Sequence, residues 1–166
     1  MISSKIRVLD DLLSLRKTWA EQGKTVVWTN GCFDLLHAGH VRTLRDAKAL
    51  GDTLVVGINS DRSVRAIKGP LRPIVPQSDR AEILAALECV DYVTIFDESD
   101  PVRALSLLRP DIHCKGAEYA EGKRPVPERD IVLAYGGRIE FLPIHEGLST
   151  SALIERICQA EAVSRK

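Results

Sequence analysis

Neither sign of charge prevails in this sequence: Lys plus Arg and Asp plus Glu each number 23 among 166 residues, for a formal net charge of zero. Nucleic-acid and membrane-surface binders usually carry a basic excess, so neither partner is expected. No apolar run approaches the roughly 20 residues that a membrane span requires. The opening MISSKIRVLDDLL scatters charges where a signal peptide has an apolar region. Cysteine is scarce. Cys32, Cys89, Cys114 and Cys158 show no CxxC spacing, which argues against a zinc ribbon or a thioredoxin-type pair. Four cysteines in a chain this long do not suggest a disulfide scaffold, and they read as reduced thiols of a cytoplasmic protein. The GxxxxGK[ST] and GxGxxG phosphate signatures are both missing. So are internal repeats, low-complexity tracts and linkers.

What remains is an ordinary globular composition, 45% hydrophobic and 28% charged, in a length that suits one domain spanning residues 1–166. Apolar periodicity alternates between two kinds of segment. LDDLLSLRKTWAEQG has helical spacing over about 9–22, and STSALIERICQAEA forms a last helix over about 150–162. KTVVWTN, TLVVGI, DYVTIF, DIHCK and RIEFLP are short apolar runs of the kind buried on both faces of a sheet. Between them lie helical stretches: GHVRTLRDAKALG, SDRSVRAIKG capped by Ser60 or Asp61, SDRAEILAALEC with Ser78 as N-cap, DPVRALSLLR with Asp100 as cap, and ERDIVLAYGG. GPLRPIVPQS and GAEYAEGKRPVP read as loops. Strand–helix alternation predicts an α/β fold, a Rossmann-like doubly wound sheet of five parallel strands with helices on both faces. In the order 3-2-1-4-5 the direction reverses between strands one and four, and ligands bind at the carboxyl ends of the strands at such a reversal. Strand one ends at TNG and strand four at CKG, so the HAGH that follows strand one and Lys115 share one crevice.

HAGH places His37 and His40, two of only four histidines, at the start of a helix. A metal pair, a catalytic base and an anion cradle compete for it. Zinc sites take three or four protein ligands, and only Cys32 and Asp34 lie nearby, in no familiar zinc spacing; no metal ligand is assigned. The cradle is favoured because Gly31 permits a sharp turn and Gly39 a close approach. The helix start adds unpaired N–H groups and partial positive charge. Residues three apart share a face there, so both imidazoles can donate to phosphate oxygens.

GCFDLLHAGH resembles the GxFDxxHxGH motif of the cytidylyltransferase-like nucleotidyltransferase superfamily, and GLSTSALIERI resembles its GISTT-type second motif, in the same order and separation. Over TNGCFDLLHAGHVRTLRDAKALGDTLVVGINSDRSVRAIKGPLRPI the chain is similar to the adenylyltransferases of ADP-heptose synthesis. That resemblance implies transfer of AMP from ATP to D-glycero-β-D-manno-heptose 1-phosphate, releasing pyrophosphate, for lipopolysaccharide core assembly. The activity is often fused to a sugar kinase domain, for which this length leaves no room, so the stand-alone form is the one resembled. KGAEY stands where family members often have KGGDY, keeping the carboxylate one methylene further out. The motifs leave open a cytidylyltransferase acting on glycerol 3-phosphate or another polyol phosphate, and a non-catalytic nucleotide sensor.

A phosphate monoester is mostly dianionic at neutral pH, so its in-line attack on the α-phosphorus needs no general base. The barrier is electrostatic, and catalysis is positioning plus positive charge. His37, His40, Lys68 and Lys115 are the expected catalytic groups. The expected nucleotide-binding set is Thr29, Asn30, Gly31, Cys32, Phe33, Gly39, His40, Lys115, Gly116, Gly147, Ser149, Thr150 and Ser151. Asp34, Asn59, Asp61, Arg72, Arg80 and Glu118 are expected at the sugar phosphate. Asp34 either touches the ligands or fixes the turn by accepting backbone N–H bonds. Mg²⁺ is expected with ATP, bound through phosphate oxygens and water, and the resemblance implies a homodimer.

Overall fold

A computed structural model describes residues 4–122, 125–143 and 149–164. Helix α1 (Leu9–Glu21) leads into β1 (Val26–Gly31), α2 (Ala38–Lys48) and β2 (Thr53–Asn59). Then follow α3 (Asp61–Lys68), α4 (Gln77–Ala85), β3 (Tyr92–Phe96), α5 (Val102–Leu108) and β4 (Ile112–Gly116). A 3₁₀ helix (Ala117–Gly122), α6 (Arg129–Ala134), β5 (Arg138–Leu142) and α7 (Thr150–Ser164) complete the order. The five strands are all parallel in the order β3-β2-β1-β4-β5, as the alternation predicts.

Right-handed crossovers explain the layering. The path β1→β2→β3 moves outward one way and puts α2 and α4 on one face; the return to β4 and on to β5 puts α5 and α6 on the other. The core splits accordingly. Val27, Val56 and Ile112 pack with Leu44 of α2 and Leu84 of α4. Val26, Trp28 and Val55 pack with Leu12 of α1, Leu105 of α5 and Val132 of α6. Neighbours along β1 thus face opposite layers, as the period-two geometry of a strand requires.

The amino edge of the sheet is stapled by aspartates. Asp52, Asp91 and Asp111 each stand just before a strand, and each accepts a backbone N–H at the start of a neighbouring one, from Thr25 at 2.8 Å, Leu54 at 2.7 Å and Val26 at 2.7 Å. The carboxyl edge is left to the loops that follow the strands.

Three details differ from the sequence reading. Helix α4 starts at Gln77 after an extended Pro76, so Ser78 lies inside the first turn and donates to Asp79 instead of capping. GAEYAEGKRPVP contains the 3₁₀ turn over Ala117–Gly122, and α7 runs to Ser164. Ser60 does cap α3, accepting from the Ser63 N–H, whereas Asp100 stands one residue before Pro101, the N-cap of α5, and from there accepts from the Val102 N–H at 3.1 Å.

Gly57 leaves no room beside Trp28: a Cβ there would sit 2.3 Å from the Trp28 ring and 3.1 Å from Phe96. Gly57→Ala should cost about 1–3 kcal/mol by overpacking. A thermal melt should show Tm lowered by about 2–12 °C.

Candidate functional site: a crevice at the β1–β4 reversal

Strand β1 pairs β2 on one side and β4 on the other, with Thr29 opposite Cys114. The Thr29 hydroxyl donates to the Cys114 carbonyl at 3.3 Å, and the Asn30 amide oxygen accepts the Trp28 indole N–H at 3.3 Å. The chain leaves β1 through Gly31, where a Cβ would meet the Phe33 ring at 3.2 Å. Phe33 itself adopts a left-handed φ of 47°, a conformation non-glycine residues rarely hold without support from their surroundings. Gly31 is therefore the residue that lets this turn close.

The turn delivers the two histidines. His37 is the extended N-cap of α2 and His40 its third residue, with Gly39 buried between them. Their rings stack with centroids 3.8 Å apart, and Phe33 covers His40 from 5.3 Å. The His37 backbone N–H donates to His40 Nδ1 at 3.4 Å, which assigns the proton of neutral His40 to Nε2. Burial, and then the neighbouring His37, push His40 down to about 4; burial also lowers His37. At neutral pH the pair is therefore a set of neutral donors, and positive charge must come from elsewhere.

The second motif reaches the same turn. The Thr150 hydroxyl at the start of α7 donates to the Leu35 carbonyl at 3.4 Å, and Ser149 Oγ accepts from the Ala152 N–H at 3.1 Å. Two helix N-termini thus meet beside HAGH, with Ser149 and Ser151 exposed. Gly147 lies outside the described residues.

The proline-rich loop folds over the turn by way of Asp34. Its carboxylate is buried; Oδ2 accepts from Arg72 Nε, and Oδ1 from the Ile74 and Val75 N–H groups at 2.8 and 2.9 Å. Of the two expected roles for Asp34, the contacts are those of the backbone anchor, although the backbone it holds belongs to the loop. Arg72 retains 18% exposure and lines this fold.

Arg80 and Asn59 lie deeper than expected of ligand-binding residues. The Arg80 guanidinium has 0% exposure and donates to the Val75 carbonyl at 3.0 Å, the Cys32 carbonyl at 2.5 Å and Asp61 at 2.8 Å. It braces the turn, the loop and the start of α3, and presents no surface to a phosphate. Asn59 is 4% exposed and spends its amide N–H groups on Ser63 Oγ and the Glu98 carbonyl. Asp61 is committed to Arg80, and its backbone N–H to Gln77.

Two lysines supply charge. Lys68 is exposed at the end of α3, and it is the strongest of the positive influences on the Cys32 thiol, whose ionisation burial otherwise makes harder. Lys115, at the end of β4, is 12% exposed; its ammonium lies 4.3 Å over the Tyr119 ring and donates to Glu128 Oε1 at 2.7 Å. Glu118 folds back over Gly116, where a Cβ would collide with its carboxylate at 2.0 Å.

Glu128 and His113 escaped the sequence reading. Both have 0% side-chain exposure, and His113 Nε2 lies 2.9 Å from Glu128 Oε1. Burial pushes the Glu128 carboxyl up, but bonds from His113 and Lys115 outweigh it and leave it near 2. The available signals were a histidine in the apolar strand DIHCK and an acid opening the helix ERDIVLAYGG.

A parallel sheet with an HxGH turn at its point of reversal and a second helix start beside it defines a nucleotide-handling α/β protein. The chain belongs to the cytidylyltransferase-like family of nucleotidyltransferases, whose sequence profile matches residues 28–156. It is 51% identical over 154 residues to the bifunctional protein HldE of Syntrophotalea carbinolica, covering 93% of this chain and 31% of that protein. It is 48% identical over 158 residues to HldE of Geobacter metallireducens, covering 95% of this chain and 32% of that one. The chain thus spans about a third of the length of these relatives. Among solved structures, the lipopolysaccharide core biosynthesis protein of Thermoplasma volcanium superposes with a TM-score of 0.60 at 28% identity, over 74% of this chain and 98% of that one. Pantoate-beta-alanine ligase of Francisella tularensis shares the fold, with a TM-score of 0.59 at 15% identity, over 97% of this chain and 79% of its own.

His40 links the site to stability. Its folded value lies below the unfolded 6.5, so between pH 6.5 and about 4 the unfolded chain binds a proton that the folded chain refuses. Stability should fall as pH drops through that window. Melting curves across it should decline less steeply for His40→Gln than for the native chain.

Proposed function

We propose that the chain transfers AMP from ATP to D-glycero-β-D-manno-heptose 1-phosphate, releasing pyrophosphate and forming ADP-heptose for the lipopolysaccharide core. The observation that carries the reading is the meeting of the two motifs: the start of α7 touches the HAGH turn through Thr150 and Leu35. One polyanion is then gripped from two helix N-termini. The choice of sugar rests on the resemblance to the adenylyltransferases of ADP-heptose synthesis and on the similarity to HldE. The four free cysteines suit a reducing compartment, so the reading places the activity in the cytoplasm.

In this reading the sugar phosphate attacks the α-phosphorus in line, without a covalent intermediate. His40 donates from Nε2 to the phosphate as charge builds, and His37 donates beside it. Lys68 and Lys115 offset the charge brought by two anions; Arg72 faces the sugar phosphate, with Asp34 and Arg80 holding its loop in place. Thr29–Phe33, Gly39, Gly116, Ser149 and Ser151 contact the nucleotide, and Glu118 and Asp61 lie toward the sugar. Among the described residues no three His, Cys, Asp or Glu side chains converge as a cation cage. Mg²⁺ would enter with ATP, ligated by phosphate oxygens and water.

A pyrophosphate-release assay should cross ATP and CTP with heptose 1-phosphate and glycerol 3-phosphate. Release is expected with ATP and the heptose. A preference for CTP with glycerol 3-phosphate makes the protein a polyol-phosphate cytidylyltransferase, and ATP binding with no turnover makes it a sensor. His40→Ala should lower kcat by at least about 10²-fold, the usual loss on removing a charge-stabilising donor, while circular dichroism stays native. Normal turnover removes His40 from the mechanism.

A further inference from the structure

Lys115 sits on a flexible four-carbon stem that loses rotamer entropy when it is fixed. In this structure it is fixed already. Glu128 Oε1 takes its ammonium at 2.7 Å, and the Tyr119 ring lies 4.3 Å beneath it. Behind Glu128, His113 Nε2 lies 2.9 Å from the same oxygen. An ionised carboxylate only accepts, so Nε2 carries the proton and the His113 tautomer is set by Glu128.

Stability alone explains this cluster poorly. Among the described residues Glu128 Oε2 is buried with no hydrogen-bond partner, and a buried polar atom left so is costly. Ion pairs enclosed in this way are often no more stabilising than apolar side chains of the same volume. The cluster does, however, place one ammonium at the carboxyl end of β4, beside β1, at the reversal of strand order.

We infer that Glu128, backed by His113, is a positioning residue that acts through Lys115, holding its ammonium ready for the nucleotide's phosphates before they arrive. The inference rests on the reading of Lys115 given above. Two effects of Glu128 oppose each other. Its negative charge weakens the pull of Lys115 on an anion, and its geometry removes the need to order the stem during reaction. A glutamine there removes the charge and with it the charge-assisted bond that holds the stem, so it should lower kcat without raising KM.

The test is a double-mutant cycle on the full chain in the pyrophosphate-release assay, using Glu128→Gln, Lys115→Met and the pair. Glu128→Gln should lower kcat at least about tenfold, the equivalent of one lost charge-assisted bond, with KM for ATP unchanged or lower. In the Lys115→Met background the same change should move kcat less than about twofold. Glu128→Asp, one methylene short of Lys115, should reproduce the kcat loss and serves if the glutamine variant does not fold. Independent, additive losses overturn the inference, as does a normal kcat in Glu128→Gln while Lys115→Met is impaired. Normal kcat and KM in Lys115→Met overturn the role of Lys115 itself, an outcome distinct from the other two.

Discussion

A guanidinium with no exposure to solvent holds the crevice in shape. Moving a charge out of water costs several kcal/mol unless partners replace the water, and Arg80 has them on three segments: Cys32 in the turn, Val75 in the loop and Asp61 at the start of α3. Each of those segments carries residues assigned to the ligands. Asp34 complements it from the other side, binding the same loop through Arg72, Ile74 and Val75. The two buried charges make one rigid frame out of a turn and a proline-rich loop that have little regular structure of their own.

Inside that frame the histidines work as neutral groups. Rings stacked at 3.8 Å repel one another when both are charged, and burial adds to the penalty. In the proposed reaction the site would separate two tasks that an anion pocket often combines, with imidazoles and helix starts giving direction through hydrogen bonds and the lysines at the rim and at the reversal giving charge. A dianionic acceptor, as proposed, needs no base, so that reaction asks no group here to remove a proton.

The sheet was legible because its information is local. Continuous β-branched runs such as TLVVGI, separated by amphipathic helices, allow few arrangements, and the strand order followed. HAGH and the serine/threonine run before α7 were legible as helix starts for the same reason. Burial was not. Arg80 and Asn59 look in sequence like any polar residues near a loop; Arg80 is enclosed when GPLRPIVPQS folds over the turn, and Asn59 by its bonds to Ser63 and the Glu98 carbonyl. Glu128 and His113 are 15 residues apart and become a pair only when β4 and α6 pack, so no spacing rule could join them. Ser78 misled because Pro76, already extended, caps the helix two residues earlier.

The contact between Thr150 and Leu35 joins residues 115 apart in sequence. A ribosome adding about 5–20 residues per second needs roughly 6–23 s to cover that interval. During that time the β1–α2 segment has been made and α7 has not. The contact that joins the two motifs therefore cannot form until α7 has been synthesised, and the proposed nucleotide site is assembled only after most of the sheet has been made.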